Sequence, residues 1–554
     1  MLKKALAAVI ALSITLIAFP ASSADVPDEQ YLFTYKTVFP NLNAPEGWFG
    51  VWFSDKPNYP SIPVLTGTNA SGQSETCNSI DQQGCKDINA FSYVANYPFC
   101  TSTYSTDCID EVFAIDQSGK KISASNIEYL PKNPILLNTK SNYHPGGSSK
   151  EIFDLPGVIH KGGSSKYAIE VMMTGAFTIA DRKAASSGYS SSDASFYVNI
   201  SPVDMKSGSY ELISAKGNSF SVPKNFDRNC IVLDIDRCGM AQGFPSGYKF
   251  GASIRMATSI YGWLQGRIQE AAFQSEDIPG GKKITVTGYP MTVPSIAGGG
   301  DYLTKLTPTL QNTYKMIYTS KQYPLFDNFT ADRGSASLKA FSDWASVLGE
   351  KATVMPTVWS FRNIKKDEFV VAGLQAGRCI VSAMKTGIGG MVSTNATVYS
   401  SGPPAFNEST QSLDYKVAAP HFTSKGDVFR GYYNLKITAE TARCIYSFKP
   451  IPMQATISVV TDAGEKVVGT TIVKSDDKWV ELTAANFEFS SPTLRVKFSE
   501  NISKVGVEAS ASSAPTPAPI AVAKKTTISC MKGKLTKKIS GVNPKCPTGY
   551  KKKA

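Results

Sequence analysis

The chain has 554 residues, enough for roughly two to four domains, with 42% hydrophobic and 18% charged residues. Its net charge of +12 is uneven: residues 524–554 carry ten Lys and no acidic residue, residues 1–24 carry +2, and the body between them is neutral. A neutral body excludes nucleic-acid binding through the main domains, which requires a basic face on the fold itself.

At the start of the chain, Lys3 and Lys4 precede an apolar run over 5–19, and Ser22, Ser23 and Ala24 supply small residues for a signal peptidase. Residues 1–24 therefore read as a secretory signal peptide cleaved after Ala24. The apolar run is shorter than the roughly 20 residues of a membrane-spanning helix. No Cys follows it to take a lipid, and no later segment is long and apolar enough to span a membrane. The expected location is extracellular or on the cell surface.

An exported chain matures where thiols oxidise, and its ten Cys form an even set. Nearest-neighbour pairing joins Cys77 to Cys85, Cys100 to Cys108, Cys230 to Cys238, Cys379 to Cys444 and Cys530 to Cys546. It is the simplest arrangement, although spacing alone leaves the connectivity open. Metal binding fits less well: there is no Cys-x-x-Cys, and none of His144, His160 and His421 lies close to a Cys. No cofactor is expected.

Residues 25–130 read as an N-terminal β domain, with aromatic and β-branched strands at 31–39 and 47–53. Cys100 and Cys108 flank a polar loop suited to a stapled hairpin, and Gln117-Ser-Gly119 supplies a turn. The middle region, 131–365, continues the pattern. At 248–256 Tyr248, Phe250, Ala252, Ile254 and Met256 alternate with smaller or polar residues, the signature of a half-buried strand. Lys283 to Thr287 forms another strand. A helix is expected near 337–348, where Leu338, Phe341, Ala345 and Leu348 recur at helical steps before Gly349; its Trp344 is expected to pack on the sheet.

Residues 366–508 read as a β-sandwich module with strands at 433–438, 455–460, 465–474, 478–482 and 493–498, and a hairpin turn at Asp462-Ala-Gly464. Residues 509–523 form a Ser/Ala/Pro linker. The last unit, 524–554, is a basic hairpin that needs a disulfide because so short a piece buries too little core. The fold class expected is mainly β: two or more antiparallel β-sandwich, jelly-roll-like domains, one short helical stretch and the small disulfide-closed hairpin at the C-terminus.

The tail, Lys524-Lys-Thr-Thr-Ile-Ser-Cys-Met-Lys-Gly-Lys-Leu-Thr-Lys-Lys538 followed by Asn543-Pro-Lys-Cys-Pro-Thr-Gly-Tyr-Lys-Lys-Lys553, resembles a C-terminal element shared by many exported actinobacterial proteins. The preceding module also resembles one that accompanies that tail. The matching parts are Val392-Ser-Thr-Asn-Ala-Thr397, Ser401-Gly-Pro-Pro404, Ala442-Arg-Cys-Ile-Tyr446 and Phe487-Glu-Phe-Ser490. The resemblance implies an exported or surface location and carries no activity. Through Lys524, Lys525, Lys532, Lys534, Lys537, Lys538, Lys545, Lys551, Lys552 and Lys553 the tail has the charge to attract an anionic envelope polymer at low salt. A solubilising or export-related tail is the alternative.

Catalytic signatures are sparse. There is no His-Glu-x-x-His and no Gly-x-Ser-x-Gly. Ser382 and Lys385 match Ser-x-x-Lys, but so do Ser118 with Lys121 and Ser475 with Lys478, as chance predicts in a Ser- and Lys-rich chain. Asp234-Ile-Asp-Arg-Cys-Gly239 opens like a calcium loop, yet Cys238 takes a ligand position and Pro245 replaces the closing Glu, so a disulfide-closed turn is preferred. Trp48, Trp52 and Trp479 have the rings to stack on sugars, against the plainer role of core packing. Trp479 shares a solvent face with Glu481 if Val480 and Leu482 point inward.

The function these readings favour is a non-catalytic binding or adhesion protein with a glycan, envelope or protein ligand. One alternative is a polysaccharide hydrolase using paired carboxylates. Another is a structural matrix or surface-layer component.

Overall fold

In a computed structural model, the described residues run from Trp48 to Ser499 and from Thr526 to Lys552, apart from single positions and from internal segments that include 56–63, 130–150, 180–194, 209–229, 258–261, 302–305, 314–324, 365–377, 380–387, 447–453, 468–470 and 490–492. The expected signal peptide, the strand at 31–39, the linker, His144, Ser382 and Lys385 lie outside them.

The chain divides into two compact units, one ending at Glu500 and one beginning at Asn501. One sheet organises the first. Its strands lie in the order Ser74–Cys77, Val64–Thr68, Ala90–Asn96, Lys166–Thr178, Ser195–Ser207, Thr357–Asn363, Gly262–Gly266, Ile388–Thr394, Arg430–Thr438, Trp479–Glu488 and Thr471–Ser475. Neighbours are antiparallel except Gly262–Gly266 and Ile388–Thr394, which run parallel. That parallel pair crosses the boundary expected at 365/366, so the described residues on either side share one sheet instead of forming separate modules. The N-terminal region is also tied to distant chain. Strand Trp48–Ser54 lies between Ile296–Asp301 and Leu325–Thr330.

The sheet changes the face it buries. Directly paired residues lie on one face, so cross-strand rows can be read from the register. One row runs Val171, Val198, Phe361, Gly266, Ser393, Asn434, Thr483. It begins in an apolar core formed with Val112, Phe250, Ala252, Ile254, Ile284 and Val286 of a second sheet, and ends in polar side chains. The adjacent row, on the opposite face, runs Met172, Tyr197, Arg362, Gln265, Val392, Leu435, Leu482. Its last three residues join a different core with Leu413, Tyr415, Ile457, Leu494 and Val496 from a third sheet. Two sandwiches therefore share one sheet, with their main cores on its opposite faces.

Glycines inside the strands of the shared sheet are covered by aromatic partners on the next strand, Gly67 by Phe91, Gly175 by Tyr93, Gly390 by Trp263 and Gly431 by Phe487, and in the second sheet Gly251 of Lys249–Met256 is covered by Phe113 of Cys108–Ile115. A Cβ on Gly431 would lie 2.2 Å from the Phe487 ring, and one on Gly390 would lie 2.5 Å from Trp263. The ring supplies the packing that the glycine lacks.

Three helices are described: Pro308–Thr313, Ser335–Leu348 and Ala439–Tyr446. The second occupies the expected place, and its fully buried Trp344 packs 5.7 Å from Phe49 of strand Trp48–Ser54. The third was not expected. Thr438 starts it, its Oγ1 accepting the Thr441 N–H, and it ends too soon for a clear helical periodicity. The strand expected over 465–474 is two strands in different sheets, Gly464–Val467 beside Gln454–Thr461 and Thr471–Ser475 beside Trp479–Glu488. Thr461 pairs with Gly464 across the antiparallel strands Gln454–Thr461 and Gly464–Val467, and residues 462 and 463 of the expected turn lie outside the described residues.

Cys77 is bonded to Cys85, Cys100 to Cys108, and Cys379 to Cys444. Cys238 and Cys546 are also disulfide-bonded; the side chains of Cys230 and Cys530 lie outside the described residues. The loop closed by Cys100 and Cys108 is not a hairpin: Phe99 and Ile109 bridge in parallel. In the C-terminal unit Thr526–Lys532 pairs with Leu535–Gly541, and Lys551–Lys552 adds a third short strand to the expected hairpin. Among the described residues no helix is long and apolar enough to cross a membrane.

Candidate functional site

Two surfaces arise where the shared sheet exposes or only partly covers polar side chains. The first is a small, shallow cleft at the crossover, lined by Asp55, Tyr197, Gln265, Arg267, Arg362 and Tyr399 among others. Arg267 is 2% exposed. Its Nε donates to Asp55 Oδ1 (3.0 Å), Nη1 to the carbonyls of Thr394 (2.6 Å) and Ala396 (2.5 Å), and Nη2 to that of Thr397 (3.2 Å). The guanidinium also lies 4.6 Å from the centre of the Tyr399 ring. Gln265 is similarly committed: its amide donates to Ser400 O and Tyr415 Oη, both at 2.9 Å, and its carbonyl accepts from Arg362 Nη2. These bonds satisfy the polar groups that the change of buried face forces inside. The cleft clamps backbone, and its one carboxylate, Asp55, is held by Arg267.

The second surface is the outer face of strands Arg430–Thr438 and Trp479–Glu488. Val480 and Leu482 are fully buried, so Trp479, Glu481 and Thr483 turn outward and are half-buried. Across the ladder lie Thr438, Lys436 and Asn434. Lys436 Nζ is 5.6 Å from the centre of the Trp479 ring and 4.0 Å from Glu481 Oε2. Asn434 Nδ2 donates to both Glu481 Oε1 and Thr483 Oγ1 at 2.9 Å, which fixes the carboxylate and the hydroxyl in place. Phe273 meets Trp479 edge to face, ring centres 6.3 Å apart. At the other end Tyr432 Oη accepts the Glu270 N–H (3.1 Å), and burial pushes the phenol up to about 12, so it stays neutral at physiological pH. The strip combines an aromatic plane, a cation, a carboxylate and hydroxyls on a rigid ladder.

Of the other sequence candidates, Trp52 is buried and offers no platform, and the Trp48 side chain lies outside the described residues. His160 is buried beside Ser164 and Asp204, a combination that resembles a nucleophile with its base. The hydrogen bonds argue otherwise. His160 Nδ1 accepts the Gly162 N–H (3.0 Å), which places the ring proton on Nε2, 2.8 Å from Ser164 Oγ. The Ser164 hydroxyl donates to Asp204 Oδ1 (2.9 Å), so the imidazole cannot accept its proton, and the group locks a turn. Burial pulls the His160 pKa down, against the raising effect of Asp204. His421 sits beside Phe422 with ring centres 5.2 Å apart. Of residues 234–239, Asp234 and Ile235 lie outside the described residues, and Arg237, Cys238 and Gly239 belong to strand Arg237–Ala241, which pairs with Cys230–Leu233. Among the described residues no group of three or more His, Cys, Asp or Glu could hold a metal.

Of the tail lysines, Lys532, Lys537, Lys538, Lys551 and Lys552 fall in strands, with Cys530 paired to Lys537 on one side and Lys552 on the other; Lys524, Lys525, Lys534, Lys545 and Lys553 lie outside the described residues. Sequence reasoning found Trp479 and Glu481 but missed Lys436, Asn434 and Phe273. The signal was present, since Tyr433, Leu435 and Ile437 alternate with Asn434 and Lys436. Compared with known proteins, the chain matches no family model and no curated protein.

Proposed function

We propose that the chain is an exported, non-catalytic binding protein that holds a glycan of a cell envelope or surface on the outer face of its shared sheet. The observation that carries this reading is the strip of Trp479, Lys436, Glu481 and Thr483, positioned by Asn434 on a ladder whose reverse face is core. An aromatic ring flanked by fixed donors and acceptors is the chemistry that recognises a sugar ring. The disulfides and the signal-like start support export. The crossover cleft carries a single carboxylate among its described residues, Asp55, held by Arg267, and on the outer strip Glu481 is bound by Asn434 and Glu488 by Arg430, which weighs against the acid–base pair a hydrolase needs. The Lys-rich tail supplies a second, electrostatic attachment to anionic envelope polymer.

Retention of the purified full chain on immobilised polysaccharides and on isolated cell walls tests the first part. Retention that weakens about tenfold in Trp479→Ala is expected; equal retention of both proteins overturns it. For the tail, intact and tail-deleted protein are compared for release from cells into low- and high-salt medium. Equal release at low salt overturns electrostatic anchoring.

A further inference from the structure

We propose that the Lys-rich tail grips a flexible linear polyanion on both faces of its three-stranded sheet, by charge density and not by the shape of one acidic group; this rests on the electrostatic-attachment reading and specifies its ligand. The register places the cations. Strand Thr526–Lys532 lies between Leu535–Gly541 and Lys551–Lys552, so these two form the edges. Lys537 and Lys552 are the direct partners of Cys530, which puts them on its face together with Lys532, two residues on. Lys538 pairs with Ser529 and Lys551 with Met531, on the opposite face. Each edge therefore carries two consecutive lysines, one on each face.

That arrangement suits a chain, not a plane. A bilayer surface laid against one face neutralises the lysines of that face alone, whereas a polymer passes around either edge and meets both sets. Neither face is the apolar one that seats an amphipathic element in a bilayer, because Ile528, Leu535 and Ile539 share the face of Lys532, Lys537 and Lys552. Charged edges also keep a sheet from pairing with other chains, a role that either sign of charge fulfils. Here the sign is uniform: 524–554 hold ten Lys and no Arg, Asp or Glu. The body, 25–523, sums to zero and offers the tail no net opposite charge. Lys is a point charge with rotatable donors, while the planar fork of Arg matches one carboxylate or phosphate at two places. Ten Lys without Arg thus read the spacing of negative charge along a polymer and accept phosphate and carboxylate alike.

The test measures binding of the full chain, and of a chain shortened to end at Ala523, to polyphosphate, polygalacturonate and vesicles containing phosphatidylglycerol, between about 20 and 500 mM NaCl. Two variants neutralise one face each: Lys532→Gln with Lys537→Gln and Lys552→Gln, and Lys538→Gln with Lys551→Gln. A third changes all five to Arg, and mass spectrometry of the unreduced proteins checks that every cysteine stays oxidised. Salt-sensitive binding of both polymers is expected from the full chain and not from the shortened one. Each one-face variant is expected to bind polyphosphate more weakly at low salt. Its fall of log affinity with log salt should be shallower by roughly 0.7 per lysine removed, about 2 for the triple variant and about 1.4 for the double. The Arg variant is expected to bind both polymers within about twofold of the wild type. Binding that disappears with one set of lysines and is unchanged without the other is one-sided docking, and overturns the inference. Attachment confined to the vesicles, or to one of the two polymers, overturns it as well, and electrostatic attachment itself then stands. Equal behaviour of the full and shortened chains towards all three anionic partners overturns both.

Discussion

The N-terminal and C-terminal halves of the shared sheet obey the same alternation but bury opposite faces. Val171, Val198 and Phe361 point into one core, and the same row continues as Ser393, Asn434 and Thr483 on the polar side. On the reverse face Tyr197, Arg362 and Gln265 give way to Val392, Leu435 and Leu482. A sheet need not have one inside. Each strand's alternation fixes two faces, and the layer packed against it decides which is dry. The consequence falls on the strands in the middle, which carry polar side chains into a buried setting. Arg267 and Gln265 meet that demand by binding the backbone around 394–400. The outer strip around Trp479 exists because the C-terminal half turned its apolar side the other way.

The largest effect is expected at this junction. Arg267→Met leaves the Asp55 carboxylate and three backbone carbonyls without their donor, and breaking a buried ion pair from one side costs about 3–5 kcal/mol. Urea unfolding should show the loss as a lower midpoint. A loss below about 1 kcal/mol would mean that the two halves do not depend on this clamp. The next effect distinguishes the halves. Cys379–Cys444 closes a separation of 65 residues in the C-terminal half, and Cys100–Cys108 one of 8 in the N-terminal half. In the chain-entropy model, replacing each pair by Ser costs about 4 and about 2.5 kcal/mol respectively. Two unfolding transitions in the Cys379→Ser, Cys444→Ser protein would show that the shared sheet does not unfold as one unit.

Much of this architecture was legible one strand at a time. The alternation at 248–256 and the inward direction of Val480 and Leu482 follow from period-2 patterning, and the helix carrying Trp344 from its 3–4 spacing. The continuity of the sheet was not legible. It depends on Gly262–Gly266 pairing in parallel with Ile388–Thr394, and alternation says which residues share a face without naming the partner strand. A boundary at 365/366 comes from reading the strands after it as a module of their own. The same limit hid the site. Trp479 and Glu481 lie two residues apart, whereas Lys436 and Asn434 reach them only through register, and Phe273 arrives from a third strand.

The smallest effect concerns what the N-terminal half buries at its edge. Glu151, 1% exposed, accepts the Phe99 N–H through both carboxylate oxygens at 3.0 and 3.3 Å. Burial raises its pKa to about 8 in spite of that hydrogen bond. The folded protein therefore holds a proton that the unfolded chain releases near pH 4.5. The contribution to stability is complete below that pH, declines as pH rises, and is gone above about 8. His160, with its lowered pKa, acts in the opposite sense, since stability is lost as pH falls below its unfolded value near 6.5. Comparing the wild type with Glu151→Gln isolates the first effect, because Gln keeps the acceptor for Phe99 and cannot ionise. The two proteins should unfold at nearly the same urea concentration at pH 4.5, with the variant ahead by about 1.4 kcal/mol for each unit of raised pKa, a few kcal/mol at most, at pH 8.5. A constant difference across that range would place the Glu151 carboxylate in contact with water, and with it the edge of the half whose polar groups are otherwise enclosed.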